Sequence, residues 1–236
     1  MSIFKIEIAD DLACRASQII SAHLELALDQ RDRAQISLSG GSTPEKTYEL
    51  LSKEQLPWNR VEIFLGDERW VDPQDISSNA FMINRTLLKS GPGSKATFHS
   101  VPVIEMISPE ASAKAYADIL KKSCIGQPPI FDLMVLGLGE DGHTASLFPG
   151  TDAVHVQDRW VVVGAGKGLQ RITLTAPVLS AARKVIFIVS GSSKQEALRR
   201  LIDPSESVQR TPARLVRPDS EILVLADEAA AAGIEG

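Results

Sequence analysis

One histidine lies in an acidic, glycine-rich segment whose residue types can perform acid–base chemistry. The nearly continuous apolar run 131–136 leads into residues 137–143, GLGEDGH, which contain two acids and His143. An imidazole can accept a proton near neutral pH, and Asp141, two residues earlier, can orient the ring or polarise a water molecule. The pattern predicts that His143 is a general base with Asp141 as its acidic partner.

The glycines of this segment also match the Gly-x-Gly-x-x-Gly spacing of dinucleotide-binding loops, at residues 137–142. Glu140 and Asp141 would then face an anionic pyrophosphate. The acid about 20 residues further on, Asp158, precedes the next apolar run instead of ending it, unlike a ribose-binding acid. The sequence therefore predicts no dinucleotide cofactor here.

A second segment, residues 39–44 with the sequence SGGSTP, has the composition of an anion-binding turn. Gly40 and Gly41 allow the backbone to approach an oxyanion closely. The hydroxyls of Ser42 and Thr43 can add hydrogen bonds to phosphate beside the free amides of a helix start. We predict a phosphate cradle, with a ligand-free capped turn as the alternative.

The helix after this turn is expected to end near Leu51. Thr43 is suited to cap it, and Pro44 is suited to its first position, where the missing N–H has no intrahelical partner.

Two further cations could hold the same anion. Residues 190–194, SGSSK, follow the apolar run 184–189 and precede a helical pattern, which places Lys194 at a similar turn. Arg171 offers a planar guanidinium that matches phosphate oxygens. For either residue alone, a solvated surface position is the competing interpretation.

The segment 66–71, GDERWV, follows another apolar run and carries Asp67, Glu68 and Arg69. An arginine beside a developing oxyanion, or beside phosphate, is chemically useful. A surface ion pair between Asp67 and Arg69, of little energetic consequence, is the alternative.

These motifs sit among short β-rich runs that alternate with helical patterns, which is typical of a layered α/β fold. The runs are 35–38, 61–65, 131–136, 160–163, 184–189 and 221–225. Continuous apolar runs are expected of parallel strands covered on both faces. We predict one domain over residues 1–236. Its fold is expected to be a three-layer α/β/α arrangement with a mostly parallel, Rossmann-like sheet. The motifs should meet at the carboxyl ends of the strands of this sheet.

The bulk composition excludes several classes of protein. The formal net charge is −5 and is spread along the chain, so neither nucleic acid nor a membrane surface is an expected partner. The N-terminal residues lack a signal-peptide pattern, which predicts a cytoplasmic protein. Cys14 and Cys124 fit no metal or redox spacing, and neither a metal nor a cofactor is expected.

Taken in order, four segments resemble the motifs of 6-phosphogluconolactonases: SGGSTP at 39–44, GDERWV at 66–71, GLGEDGHTASLFP at 137–149 and RITLT at 171–175. The resemblance implies an α/β domain shared with glucosamine-6-phosphate deaminases. It also implies a hydrolase of the pentose phosphate pathway that opens 6-phospho-glucono-δ-lactone, a phosphorylated sugar lactone.

The resemblance also implies residue roles. His143 takes the position of the family's proposed base, and Asp67 and Asp141 match acids of the shared site. The positions that hold phosphate correspond to Gly41, Ser42, Arg171 and Lys194.

Three alternatives remain beside the lactonase hypothesis. A deaminase carries a glutamate at the place of Phe148, and phenylalanine cannot move a proton. Ser39 could be a nucleophile with Asp67 and His143 completing a triad, although its turn lacks the usual first glycine. A sugar-phosphate sensor would bind the ligand without turnover.

Overall fold

The computed structural model describes residues 4–234, and the strands within this range form two sheets. Its strands are β1 (Phe4–Ile8), β2 (Ala34–Leu38), β3 (Val61–Leu65), β4 (Asp67–Arg69), β5 (Thr97–Phe98), β6 (Leu133–Gly137), β7 (Val161–Gly166), β8 (Leu169–Leu174), β9 (Val185–Val189) and β10 (Ile222–Ala226).

The larger sheet has seven strands in the order β1-β10-β9-β6-β2-β3-β5. Every neighbouring pair in it is parallel. Strands β3, β9 and β10 are buried along their whole length, as the apolar runs indicated. The predicted α/β fold with a mostly parallel sheet is confirmed.

Helices flank this sheet and connect its strands. They are α1 (Leu12–Gln30), α2 (Ser42–Leu51), α3 (Asn79–Arg85), α4 (Pro109–Ser123), α5 (Ala176–Ser180), α6 (Gln195–Ile202) and α7 (Glu228–Ala231). On α1, the apolar positions at helical spacing, from Ala16 to Leu28, are buried against the core. None of these helices is both long enough and apolar enough to cross a membrane.

The smaller sheet has three antiparallel strands in the order β4-β8-β7. The run 160–163, which the sequence analysis grouped with the other β-rich runs, lies in this sheet as β7 and not in the parallel one. Its partner β8 begins after a two-residue turn and carries Arg171 directly opposite Arg69 of β4. The small sheet thus brings residues from distant segments to one place.

The sequence patterns did not predict several elements, including β1 and α4. Strand β1 alternates apolar and charged residues and is only half buried at the sheet edge, so it lacks a continuous apolar run. Helix α4 begins at Pro109 after the cap Ser108, whose side chain accepts a hydrogen bond from the amide of Ala111. A serine followed by proline is a helix-start signal.

Candidate active site

The carboxyl ends of β9, β6 and β2, which are neighbours in the parallel sheet, open into one cleft of about 450 Å³. Its lining includes the predicted site residues Gly40, Gly41, Ser42, Thr43, Asp67, Arg69, His143, Arg171 and Lys194. Asp141 does not line the cleft, but its carboxylate contacts Nδ1 of His143. The expected convergence at the strand ends is therefore observed.

The first turn of the cleft presents the start of α2. The helix begins at Ser42 with Gly41 as its N-cap, so the expected cap at Thr43 and first position at Pro44 are both wrong. Gly41 has φ +105°, a conformation that L side chains rarely adopt, and this allows the chain to turn earlier. The amides of Ser42 and Thr43 consequently lie in the first helical turn, where they have no intrahelical acceptor.

Gly40 is required by a close approach of the neighbouring α3. A Cβ atom on Gly40 would lie 1.7 Å from Oδ1 of Asn79. The Asn79 amide in turn donates to the backbone carbonyl of Asp67 at 2.8 Å. The glycine turn and the β4 segment are thus held together through one side chain.

Asp67 is a buried acid that supports Arg171. Its Oδ2 accepts a hydrogen bond from Ser146 Oγ at 2.5 Å and lies 3.6 Å from Nη1 of Arg171. Both charged residues are less than one-tenth exposed, at 7 % and 6 %. Because Asp67 is buried, the alternative of a surface ion pair between Asp67 and Arg69 is wrong.

Arg69 and Arg171 place two cations side by side. Residues directly opposite on antiparallel strands have Cβ atoms about 5 Å apart, and like charges there are destabilising. Burial lowers the pKa of Arg171, Asp67 opposes that effect, and Arg69 lowers the pKa further. An anion bound between the two guanidinium groups would relieve this repulsion.

Glu68, to which the sequence assigned no role, caps α3. Its carboxylate accepts the backbone amides of Asn79 at 2.8 Å and Ala80 at 2.7 Å, together with the Ser78 hydroxyl at 3.1 Å. Burial raises the pKa of Glu68, while the amides of Ala80, Asn79 and Arg69 oppose the shift. This fully enclosed acid is a structural support for the segment that carries Arg69.

His143 and Asp141 form a directed pair. Nδ1 of His143 lies 2.5 Å from Oδ1 of Asp141, and the His143 backbone amide donates to the same oxygen at 3.2 Å. Burial raises the pKa of Asp141, but the hydrogen bond and charge of His143, with Lys167 nearby, lower it to about 2. The ionised carboxylate therefore holds a proton on Nδ1, and Nε2 is left as the basic nitrogen.

The loop backbone and an aromatic ring hold the imidazole in place. The Gly139 amide donates to the His143 carbonyl at 2.8 Å, and a Cβ atom on Gly139 would lie 2.0 Å from His143 Nδ1. On the other side, Phe148 stacks on the imidazole with ring centroids 4.1 Å apart. These contacts restrict His143 to one orientation.

Lys194 reaches the cleft from the second glycine turn, at the start of α6. Its Nζ lies 3.8 Å from Oε1 of the exposed Glu140. Asp227 holds that turn, because it accepts the Ser190 hydroxyl at 2.6 Å and the Gly191 amide at 3.0 Å. A bound anion would compete with Glu140 for the lysine.

Two alternative readings of the sequence find no support in this geometry. Within residues 4–234, the Ser39 hydroxyl is buried without a hydrogen-bond partner, and the His143 ring is bonded to Asp141 instead of Asp67, so no triad is assembled. The glycine pattern at 137–142 is followed by no α-helix until α5, as expected if it is not a dinucleotide site.

Local sequence patterns did not indicate several residues of the site, namely Ser146, Asn79, Lys167 and Ser193. Only Ser193 lay in a motif singled out for anion binding. No group of three or more His, Cys, Asp or Glu side chains in the described part of the chain is arranged to hold a metal ion. The polar groups that converge in the cleft are instead mainly hydroxyls and cations, which suit an anionic organic ligand.

Known proteins are similar to this chain over nearly its whole length. The family described as glucosamine-6-phosphate isomerases/6-phosphogluconolactonase matches residues 7–225. A 6-phosphogluconolactonase of Nostoc sp. is 40% identical over 224 residues, covering 94% of this chain and 93% of that protein.

Solved structures are also similar to this chain. A 6-phosphogluconolactonase from Shewanella baltica has a TM-score of 0.86 at 29% identity, covering 96% of this chain and 98% of that one. A monomeric glucosamine-6-phosphate deaminase has a TM-score of 0.79 at 21% identity, covering 97% and 98%, and this likeness concerns the fold alone.

Proposed function

The chain belongs to the glucosamine-6-phosphate isomerase/6-phosphogluconolactonase family, and we propose that it hydrolyses 6-phospho-D-glucono-1,5-lactone to 6-phosphogluconate, a step of the oxidative pentose phosphate pathway. One observation carries this proposal. The Asp141 carboxylate binds Nδ1 of His143, which leaves Nε2 as the free base of a ring that lines a cleft rich in cations.

The phosphate of the substrate would bind where the hydroxyls and cations converge. The free amides and hydroxyls of Ser42 and Thr43 supply hydrogen-bond donors. Arg171 supplies a buried, bidentate guanidinium, and Lys194 supplies a second positive charge. A phosphate dianion would also relieve the repulsion between Arg171 and Arg69. Asp67 would then serve to orient Arg171 and would not itself transfer a proton.

With the phosphate fixed, the lactone carbonyl lies near the imidazole and the chemistry is general-base hydrolysis. A water molecule attacks C1 as His143 Nε2 takes its proton, and the carbonyl electron pair moves onto oxygen. When the tetrahedral intermediate collapses, the bond from C1 to the ring oxygen breaks. That oxygen accepts the proton from the imidazolium, and the free acid ionises to the carboxylate.

The required acceleration is modest. A strained δ-lactone already opens in water, so positioning and general-base help of about 10²–10⁴-fold account for much of the rate. Asp141 contributes by holding the ring and by stabilising the imidazolium that forms.

The deaminase alternative is disfavoured by Phe148. At the place of the deaminase glutamate, this ring is 5 % exposed and stacks on His143, and it has no group that can move a proton. A sugar-phosphate sensor would have no use for an oriented base in the cleft.

The deciding experiment measures lactone opening near neutral pH with the spontaneous rate subtracted. Wild type, His143→Ala, Lys194→Ala and Ser39→Ala are compared on phosphorylated and unphosphorylated gluconolactone. We expect His143→Ala to lower kcat by about 10²–10⁴-fold and Lys194→Ala mainly to raise KM for the phosphorylated lactone, by about tenfold. Ser39→Ala should retain turnover.

Exposed residues outside the cleft provide matched controls, His155→Ala for the base and Lys121→Ala for the cation. Deamination of glucosamine 6-phosphate is assayed in parallel. If the wild type accelerates no lactone, the lactonase proposal fails, and deamination or binding of 6-phosphogluconate without turnover replaces it. If Ser39→Ala abolishes turnover while His143→Ala spares it, the base assignment is wrong.

A further inference from the structure

A short hairpin at the rim of the cleft carries a cation that the mechanism above does not use. Gly166 of β7 pairs with Leu169 of β8, so Lys167 and Gly168 form the two-residue turn between them. Both turn residues have positive φ, +54° at Lys167 and +78° at Gly168, which is the pattern of a type I′ turn. Such a conformation is unfavourable for a lysine and is uncommon outside glycine, asparagine and aspartate.

This strained lysine points to function because no other residue in the described part of the chain engages its side chain. The Lys167 side chain is exposed, lines the cleft, and forms no hydrogen bond or ion pair with any residue between 4 and 234. Non-glycine residues held in the left-handed region cluster at binding and catalytic sites. Its ammonium group is therefore available to a ligand.

The hairpin packs directly against Phe148, the aromatic ring that stacks on His143. A Cβ atom on Gly166 would lie 2.3 Å from the Phe148 ring, so only glycine permits this contact. Phe148 in turn stacks on His143. The positive charge of Lys167 is also close enough to Asp141 to lower the pKa of that carboxyl. Lys167 thus lies near the proton-transfer pair, whereas Lys194 enters from the α6 turn beside Ser193.

We propose that Lys167 contacts the C1 carbonyl oxygen of the lactone and stabilises the negative charge that develops there during water attack. This inference rests on the proposed lactonase function and deepens it. It assigns Lys167 to the reacting end of the substrate, while Ser42, Arg171 and Lys194 hold the phosphate. The same ammonium group would bind the carboxylate of the product.

The test compares Lys167→Gln, Lys167→Arg and Lys167→Gly with wild type on phosphorylated and unphosphorylated gluconolactone. An oxyanion contact acts on both lactones, so kcat should fall on both for Lys167→Gln. We expect a loss of about tenfold, smaller than the 10²–10³ lost with a rigid oxyanion-hole donor, because the lysine is flexible and exposed. Lys167→Arg should recover part of the rate.

The glycine variant separates catalysis from folding. Because Lys167→Gly relieves the positive φ, its Tm should equal or exceed that of wild type while its kcat falls as in Lys167→Gln. If Lys167 had a purely structural role, Lys167→Gly would lower both Tm and kcat, or neither of them. Lys121→Gln, at the exposed end of α4, is the control and should leave both unchanged.

Binding of 6-phosphogluconate and of inorganic phosphate, each measured by calorimetry without turnover, locates the contact. Lys167→Gln should weaken 6-phosphogluconate binding and leave inorganic phosphate binding unchanged. The inference is overturned if kcat is unchanged in Lys167→Gln, or if only KM for the phosphorylated lactone rises, which would make Lys167 a phosphate ligand. Should the wild type open no lactone, the proposed function fails, and the two binding measurements still decide the position of Lys167.

Discussion

The ring of Phe148 lies against the imidazole of His143, with centroids 4.1 Å apart and the planes inclined by 30°. The Arg171 guanidinium also lies over the Phe148 ring, with its Cζ atom 5.3 Å from the ring centroid. One buried aromatic side chain therefore supports both the proposed base and a proposed phosphate ligand, and its removal should affect both.

We expect Phe148→Ala to lower kcat and raise KM together, and to reduce the free energy of unfolding by about 3–5 kcal/mol. Phe148→Leu keeps much of the apolar volume but loses the stack, so it should retain more stability than activity. Urea unfolding and steady-state kinetics measure the two effects. Full kcat in Phe148→Leu would show that the aromatic contact is unnecessary.

Asp141 should stabilise the fold in a pH-dependent way. Its pKa is about 2 in the folded protein and 3.8 ordinarily, so its contribution is present above pH 3.8 and is lost as pH falls towards 2. Since the side chain is 46% exposed, we expect Asp141→Asn to cost less than ~1 kcal/mol at pH 7. Urea unfolding at pH 7 and near pH 2 tests this. If the free energies of unfolding of wild type and Asp141→Asn differ equally at both pH values, the prediction is wrong.

The same substitution should reduce catalysis. Asp141→Asn removes the anion that orients the imidazole and stabilises the imidazolium formed during turnover, so kcat should fall while 6-phosphogluconate binding is unchanged. Steady-state kinetics and a binding titration measure the two quantities. An unchanged kcat would mean that Asp141 does not act on the base.

Gly139→Ala should inactivate the enzyme without unfolding it. The added methyl group would lie 2.0 Å from His143 Nδ1 and 2.6 Å from Asp141 Oδ1, so the imidazole must move. We expect kcat to fall by about 10²-fold or more, as for loss of the base itself. Gly66→Ala is the control, because its nearest neighbour would be 3.7 Å away. Equal activity in the two variants would refute the proposed orientation of His143.

Glu68→Gln should destabilise the protein by about 1–3 kcal/mol, because an amide nitrogen replaces an oxygen that accepts buried donors at the start of α3. The comparable variant at an exposed helix start, Glu110→Gln in α4, should cost only a few tenths of a kcal/mol. Thermal unfolding of both variants gives the comparison. Similar Tm values would show that Glu68 is not an essential cap.

The segments that carry chemistry could be recognised from local sequence, and the fold class with them. Apolar runs such as 185–189 report burial on both faces, which indicates a parallel sheet, and polar motifs at the ends of such runs must meet at one edge. The same local patterns misplaced the start of α2 by two positions, since a glycine cap with positive φ leaves no distinctive side-chain signal.

Which of these residues touch one another depended on pairings between distant segments. Ser146 binds Asp67 across 79 residues, Arg171 comes to lie opposite Arg69 through the β4–β8 register, and the β7–β8 hairpin packs Gly166 against Phe148. Strand register and side-chain packing between remote elements are set by how all the elements fit into one core, and no short window of sequence contains that information. Local residue types therefore specify the available chemistry, and packing specifies the partner of each group.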